Sequence, residues 1–318
     1  HGVAYDQLSN RVIGGTQDTG TPEQILEDGI EHISVLTADG GDVAVDNAVS
    51  DEFTFRYSSF QNLSAFTRRS IDQDGNLLER TGPGLIVTSG PPLQPQFYSP
   101  LRTNPFDGNR LLIGAFSALY ESLDAGQTIA SIGEALTVNA FTGDPLIYGV
   151  PDNADLVLAG VGADLYSRTL PPPAQVELNS QPTGASINSL AINPDNPDQL
   201  FALSTDAVAV SDNFGADWQD VTGNLLGFSP RRLRAMAFAP AADSLLFVGS
   251  DRGVYVARAS TGYSTWAALG ADTLPNAPVY ELVFNREDSV LIASQLGRGA
   301  WKRFFLDLDQ IFVDGFEE

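Results

Sequence analysis

Five stretches of the chain repeat one pattern at an almost constant interval, and that interval restricts the fold more than any single residue does. They are "RLLIGAFSALYES" (110–122), "DLVLAGVGADLYS" (155–167), "QLFALSTDAVAVS" (199–211), "SLLFVGSDRGVYVA" (244–257) and "SVLIASQLGRGAWKR" (289–303). Their starts lie 45, 44, 45 and 45 residues apart. Each joins two apolar runs through two to five polar or glycine residues, the pattern of a β-hairpin buried on both faces. "NRVIGGTQDTGT" (10–21) has the same form, and "EFTFRYSSFQNLSAFTRRS" (52–70) is a looser copy.

A further short apolar run precedes the hairpins by about ten residues. These runs are "GVAYD" (2–6), "DVAVD" (42–46), "LTVNAF" (136–141), "INSLAINP" (187–194), "LRAMAFAP" (233–240) and "VYELVF" (279–284), with a weak version near "FYSPLRTNP" (97–105). A polar turn and a fourth run follow most hairpins, as in "ADWQDVT" (216–222) and "STWAALG" (264–270). Four strands every ~45 residues mark a β-propeller blade. The pattern predicts an all-β, seven-bladed β-propeller of four-stranded antiparallel blades, with six blades as the alternative. A single domain over 1–306 is expected, followed by an acidic tail, 307–318, in which "DLDQIFVDGF" (307–316) is a candidate closing strand.

The chain has no cysteine and only two histidines, His1 and His32. Disulfides, thiolate metal sites and cysteine nucleophiles are excluded, and a Ser-His-Asp triad has little material. The formal charge is −23, from 40 acids against 17 bases, which repels nucleic acid and anionic membranes at long range. No apolar run approaches the 18 or more residues of a membrane-spanning helix. The first residue is His1 rather than Met, and no charged-then-apolar leader precedes it. This reads as a chain whose signal peptide or upstream region is removed or lies outside the sequence.

After the hairpin at 110–122 comes Ser122-Leu123-Asp124-Ala125-Gly126-Gln127-Thr128-Ile129. An acid in a tight turn accepts hydrogen bonds from nearby N–H groups, and glycine supplies positive φ. Ser122, Asp124, Gly126 and Thr128 resemble the Asp-box, S-x-D-x-G-x-T-W, of bacterial neuraminidase repeats. Ser211, Asn213, Gly215 and Trp218 form a second copy, with Asn213 at the Asp position and Asp217 at the Thr position. Eroded copies are "SIDQDGN" (70–76), Ser167, and Thr265-Trp266. The chain thus resembles the Asp-box β-propeller superfamily of sialidases and sortilin-like receptors, as a secreted bacterial member. The resemblance implies that the boxes are structural, at the outer rim, and that chemistry lies at the mouth of a central channel.

At that mouth the sequence offers Asp18, Asp39, Asp42 and Asp251 as candidate catalytic carboxylates, with Asp206 in another hairpin loop. Gln17, Asp18, Arg252, Gln295 and Arg298 are candidate binding residues, and Tyr57, Phe60 and Phe116 are aromatics to look for beside them. A sialidase would need an arginine triad, a Tyr–Glu pair and an F/Y-R-I-P segment. The segment is absent, and no Tyr–Glu pair is evident. A glycoside hydrolase of another kind needs only two carboxylates about 5–10 Å apart. Xyloglucanases of the superfamily place their cleft between two tandem propellers, and this chain supplies one.

"NPDNPDQ" (193–199), "VPDNAD" (150–155), "DQDGN" (72–76) and "DLDQ" (307–310) are oxygen-rich loops that would suit calcium, though none has EF-hand spacing. No cofactor is required by any motif. The ending "IFVDGFEE" (311–318) resembles an IF-x-DGFE ending of secreted Gram-negative proteins. The reading is a secreted or cell-surface, non-catalytic propeller acting in interaction, adhesion or an extracellular matrix. It would bind a protein, a glycan or its own copies, and neither nucleic acid nor a membrane. The alternative is a glycoside hydrolase using paired carboxylates at the channel mouth.

Overall fold

The computed structural model describes residues 2–27, 29–138, 145–270 and 273–305. The chain has the fold of a seven-bladed β-propeller, built from successive antiparallel sheets with almost no helix. Blade 1 comprises Gly2–Asp6, Arg11–Gly15, Pro22–Gln24 and His32–Ser34, and blade 2 Ala44–Asp46, Phe53–Ser58, Thr67–Asp72 and Leu77–Thr81. Blade 3 comprises Leu101–Thr103, Leu111–Gly114, Ala118–Ser122 and Thr128–Glu134. Blade 4 is formed by Leu146–Val150, Asn153–Val161, Asp164–Arg168 and Glu177–Ser180, and blade 5 by Ser189–Ile192, Leu200–Leu203, Val208–Ser211 and Gln219–Asp220. Blade 6 holds Leu233–Ala239, Leu245–Ser250, Gly253–Arg258 and Trp266–Leu269, and blade 7 Val279–Asn285, Val290–Gln295 and Gly299–Phe304.

Three features depart from the regular repeat. Blade 3 gains a fifth strand, Ile86–Ser89, which runs parallel to Thr128–Glu134. Blade 7 has three strands among the described residues, and the tail at 307–318 lies outside them. The first strand of blade 4 is Leu146–Val150 rather than the expected 136–141. Leu136–Val138 are irregular, and 139–141 lie outside the described residues. The stretch Leu146–Val150 carries the buried Tyr148, so tertiary burial rather than the local apolar run selects the strand.

Chain contacts group the molecule into two compact units: His1–Phe141, Leu146–Val161 and Tyr166–Leu178 in the first, and Thr142–Pro145, Gly162–Leu165 and Asn179–Glu318 in the second. In the first, blades 2 and 3 meet across Phe55, Tyr57, Phe66, Leu101, Ile113 and Tyr120. In the second, blades 5 and 6 meet across Phe201, Val210, Met236, Phe238, Leu246 and Trp266.

One turn solution recurs where the first strand of a blade hands over to the second. Asp6, Asp46, Asn104 and Asn193 each accept the N–H two residues ahead through Oδ1, at 2.9–3.1 Å. Asn285 accepts the N–H of Asp288 at 2.9 Å in the same place. A short side-chain oxygen here replaces a backbone partner that the reversing chain has left behind.

Candidate functional site

The hairpin between the second and third strands of blade 1 carries Gln17 and Asp18, and the connection into blade 2 carries Asp39 and Asp42. Asp18 has φ 65°, a left-handed geometry that its short polar side chain tolerates. Its N–H donates to Asp39 Oδ1 at 2.8 Å, which draws the two segments together. Asp42 is half-buried and accepts the N–H groups of Val43 at 2.9 Å and Leu101 at 2.8 Å. A Cβ on Gly2 would lie 2.2 Å from Asp42 Oδ1, so only glycine lets the first strand approach so closely.

Burial pushes the Asp42 carboxyl above the usual carboxylate range, against the pull of Arg102 and of the two N–H donors. Tyr98, 3% exposed, is buried beside this group, and burial followed by the charges of Asp39, Asp42 and Asp18 raises its hydroxyl above the ordinary tyrosine value. The charges of three candidate acids thus act on one tyrosine. Tyr98 and Arg102 carry no sequence signal of their own, because they arrive from blade 3. Of the aromatics, Tyr57 is buried in the core, Phe60 is half-buried and Phe116 is exposed.

The same loop positions of blades 6 and 7 carry the opposite charge. Asp251 lies in the hairpin of blade 6, where Arg234 Nε donates to its Oδ1 at 2.5 Å. The Arg234 guanidinium also lies over the Tyr280 ring at 4.6 Å. The N–H of Asp251 donates to Arg232 O, which joins the hairpin to the connection entering blade 6. Arg231, Arg232 and Arg252 are exposed on these two segments, with the Phe228 ring tilted against Tyr255 at 5.2 Å between centroids. Arg298 is exposed in the blade 7 hairpin. Gln295 turns inward and donates to Pro275 O at 2.9 Å.

Among the described residues, Arg231, Arg232, Arg252 and Arg298 have no ion pair and no side-chain hydrogen bond, whereas most other arginines have an acid, carbonyl or ring partner. All four lie on second-to-third-strand hairpins or on the connection into a first strand. Arg252 and Arg298 stand out in the sequence as loop residues between glycines. Arg231 and Arg232 were missed because "SPRRLR" reads as an ordinary polar connection.

The boxes lie at the opposite ends of their third strands. Gly126 N–H donates to Ser122 Oγ at 2.8 Å, and Thr128 N–H to Asp124 Oδ1 at 2.8 Å. Burial opposes ionisation of Asp124, yet the hydroxyl and N–H of Thr128 and the Ser122 hydroxyl hold its carboxyl below the usual range. The second turn matches it: Gly215 N–H to Ser211 Oγ at 2.8 Å and Asp217 N–H to Asn213 Oδ1 at 2.9 Å. Trp218 Nε1 donates to Ser180 Oγ of blade 4 at 3.0 Å.

The oxygen-rich loops make local bonds of this kind. Asp72 accepts the N–H groups of Asp74 and Asn76, Asn153 that of Asp155, and Asn193 that of Asp195, whose carboxylate pairs with Arg286 at 2.7 Å. Among the described residues no group of three or more His, Asp or Glu is placed to hold a metal ion. "DLDQ" lies outside those residues. Among the described residues no helix is long and apolar enough to cross a membrane.

No protein-family model matches the chain, and no curated protein matches it. Solved structures do match. An ancestral GH74 enzyme is 13% identical with a TM-score of 0.59, over 83% of this chain and 36% of that one. The GH74 xyloglucanase from Xanthomonas campestris is 15% identical with a TM-score of 0.64, over 95% of this chain and 51% of that one. This chain therefore spans about a third to a half of those enzymes. YCF48 from Cyanidioschyzon merolae is 13% identical with a TM-score of 0.63, and the match covers 95% of this chain and 94% of that one. At such identities the likeness is one of fold: the chain is similar to enzymes and to a non-GH74 propeller alike, and the fold they share is the β-propeller.

Proposed function

We propose that the protein is a non-catalytic interaction module, secreted or held at a bacterial cell surface, that binds a protein or glycan partner in adhesion or an extracellular matrix. The observation that carries this reading is how the charges at the hairpin ends are used. Asp39, Asp42 and Asp251 are engaged by N–H groups or by Arg234, while four exposed guanidinium groups have no such partner among the described residues. Unpaired guanidinium groups beside an exposed aromatic suit recognition of carboxylates, through paired N–H donors and ring stacking. Like-charge repulsion from the rest of the chain favours a partner of modest charge density over nucleic acid.

The test is binding of carboxylated and neutral glycans and of acidic peptides to the native chain and to the triple variant Arg231→Glu/Arg232→Glu/Arg252→Glu. Binding that falls at least tenfold in the variant, with unchanged thermal stability, supports the reading. Equal binding by both proteins refutes it.

A second reading, glycoside hydrolysis, is favoured by the hydrogen bond that joins Asp18 to Asp39 and by the charges of Asp18, Asp39 and Asp42 acting on Tyr98, because neighbouring carboxylates and a raised carboxyl group are tools of acid–base chemistry. It requires product from a polysaccharide panel, lost in Asp18→Asn and Asp39→Asn.

A further inference from the structure

Large aliphatic side chains lie open to solvent along the outer seam between blades 1 and 2. In blade 1 the fourth strand and the turn before it expose Ile25, Leu26, Ile30 and Ile33, with Ile30 at 92%. The fourth strand of blade 2 exposes Leu77 and Leu78. The fourth strand of blade 6, by contrast, buries Trp266 and Leu269. A single exposed leucine needs no explanation, but aliphatic side chains gathered on neighbouring outer strands form a patch that calls for a partner.

Strand register shows which way these groups face. Ile33 pairs with Glu23, whose carboxylate reaches Arg56 and Arg69 of blade 2, so Ile33 stands on the face of blade 1 turned to blade 2. Ile25 shares that face by alternation, and its N–H extends the pairing by donating to Glu31 O. On the other wall, Leu77 pairs with Ile71, and Ile71 with Thr54, whose hydroxyl donates to Asp6 of blade 1. Leu77 is therefore turned back to blade 1. Two ties hold the walls together. Arg11 Nη2 donates to Asp74 O at 2.5 Å, and Arg80 Nη2 donates to Val35 O at 3.2 Å. Leu77 and Leu78 fall between Asp74 and Arg80 in the chain, so the seam offers aliphatic side chains between its two ties.

Charge decides what fits there. Arg11 and Arg80 are engaged by carbonyl groups, and Arg69 is held by Glu23. Glu31, opposite Ile25, is exposed and its carboxylate has no partner among the described residues. A second copy of the chain, at −23, and an anionic bilayer would both be repelled. We propose that this seam is the docking site for a basic amphipathic segment of a partner protein. Its aliphatic face lies on Ile25, Ile33 and Leu77, and its lysines or arginines meet Glu31. In this mode of recognition buried apolar area supplies affinity, and the flanking charge speeds encounter and sets orientation. The surface shares no residue with Arg231, Arg232 and Arg252 and calls for the opposite charge, so it goes beyond the reading above.

The test is fluorescence anisotropy of a labelled amphipathic peptide of leucine and lysine, titrated with the native chain and with variants. The variants are Ile33→Ser/Leu77→Ser, Glu31→Lys, and Leu170→Ser as a control at an exposed leucine of blade 4. The expected result is binding at least tenfold weaker in the first two and unchanged in the control. Arg231→Glu/Arg232→Glu/Arg252→Glu should bind the peptide no more weakly than the native chain, which separates this site from the arginine loops. Equal binding by the native chain and Ile33→Ser/Leu77→Ser overturns the proposal, since attraction to the net charge alone would then hold the peptide. If that double variant fails to fold, Glu31→Lys decides in the same way. Self-association in sedimentation, or binding to phosphatidylcholine vesicles, that is lost in Ile33→Ser/Leu77→Ser also overturns it, in favour of a second copy or a lipid surface.

Discussion

Blades 1 and 2 are held together by buried charge, and blades 6 and 7 by rings and aliphatic side chains. In the first seam Arg56 donates Nε and Nη2 to Asp6 Oδ2 at 2.8 and 2.5 Å, and Nη1 to Glu23 Oε2 at 2.9 Å. Arg69 holds the other oxygen of Glu23, and the hydroxyls of Thr54 and Ser9 complete the group. A second such cluster joins blades 3 and 4: Glu121 accepts from Arg168 at 2.7 Å, Arg110 at 3.1 Å and Tyr148 at 2.5 Å. In the blade 6–7 seam Phe247 is fully buried, 6.3 Å from Phe284 and 5.7 Å from Phe305, among Leu245, Val256 and Leu291.

The difference is one of specificity against tolerance. A buried guanidinium with two carboxylates demands one register and leaves a costly unpaired charge when a partner is removed. An apolar seam loses transfer energy and gains a cavity, but its neighbours can relax into part of the space. The two seams can be broken in parallel. Arg56→Ala is expected to destabilise by ~3–5 kcal/mol through the stranded Asp6 and Glu23. Phe247→Ala should cost about the same, ~3–5 kcal/mol, through its cavity. What separates them is rescue. Asp6→Asn should recover part of the Arg56→Ala loss, since it removes the stranded charge, and should recover nothing in Phe247→Ala. Urea unfolding of the two double variants checks this, and equal recovery would erase the distinction.

A smaller effect follows from Asp46, a fully buried acid of blade 2 that, unlike Asp6, lacks an arginine. Burial raises its carboxyl from 3.8 to about 6, against the N–H groups of Asn109 and Ala48. Between those values the folded chain binds the proton more readily than the unfolded chain. Its contribution is therefore most favourable below pH 4, declines as pH rises, and is fully lost above about pH 6. The cost reaches up to about 3 kcal/mol. Asp46→Asn should remove this dependence, so that its stability relative to the native chain improves from pH 4 to pH 7. Melting curves over that range would show it, and parallel curves would contradict it.

The smallest effect concerns the two boxes. In blade 3 the Thr128 hydroxyl donates to Asp124 Oδ2 at 2.7 Å. In blade 5 the direction is reversed, since Asn213 Nδ2 donates to Asp217 Oδ2 at 2.9 Å. Amide and acid have exchanged roles, and one donor still meets one acceptor. Asn213→Asp sets two carboxylates against each other and should cost ~1 kcal/mol. Adding Asp217→Thr should return most of it, giving a coupling that a double-mutant cycle reads directly. Additive effects would mean that the two turns are not equivalent.

The hairpins and the seven-fold repeat were legible because each blade meets nearly the same surroundings, so burial writes one apolar period again and again. The extra strand Ile86–Ser89 was not, because "IVTS" between glycines and prolines has no counterpart in the repeat and gains its partners from Thr128–Glu134. At the hairpin ends, Asp18, Asp39 and Asp42 could be picked out as acids beside glycines. That their charges act together on Tyr98, and that Asp251 is held by Arg234, could not.

The sequence by itself determined the architecture: all-β, about 45 residues per blade, with box-like turns closed by residues only two to four positions apart. Those features rest on short-range chemistry and periodic burial, which a linear string records. Only the tertiary structure decided which charges are buried in pairs, as with Asp6 and Arg56, and which remain exposed, as with Arg231, Arg232 and Arg252. Partners 50 residues apart, such as Asp6 and Arg56, meet because blades pack face to face, and the free energy of a charge depends on what it meets there.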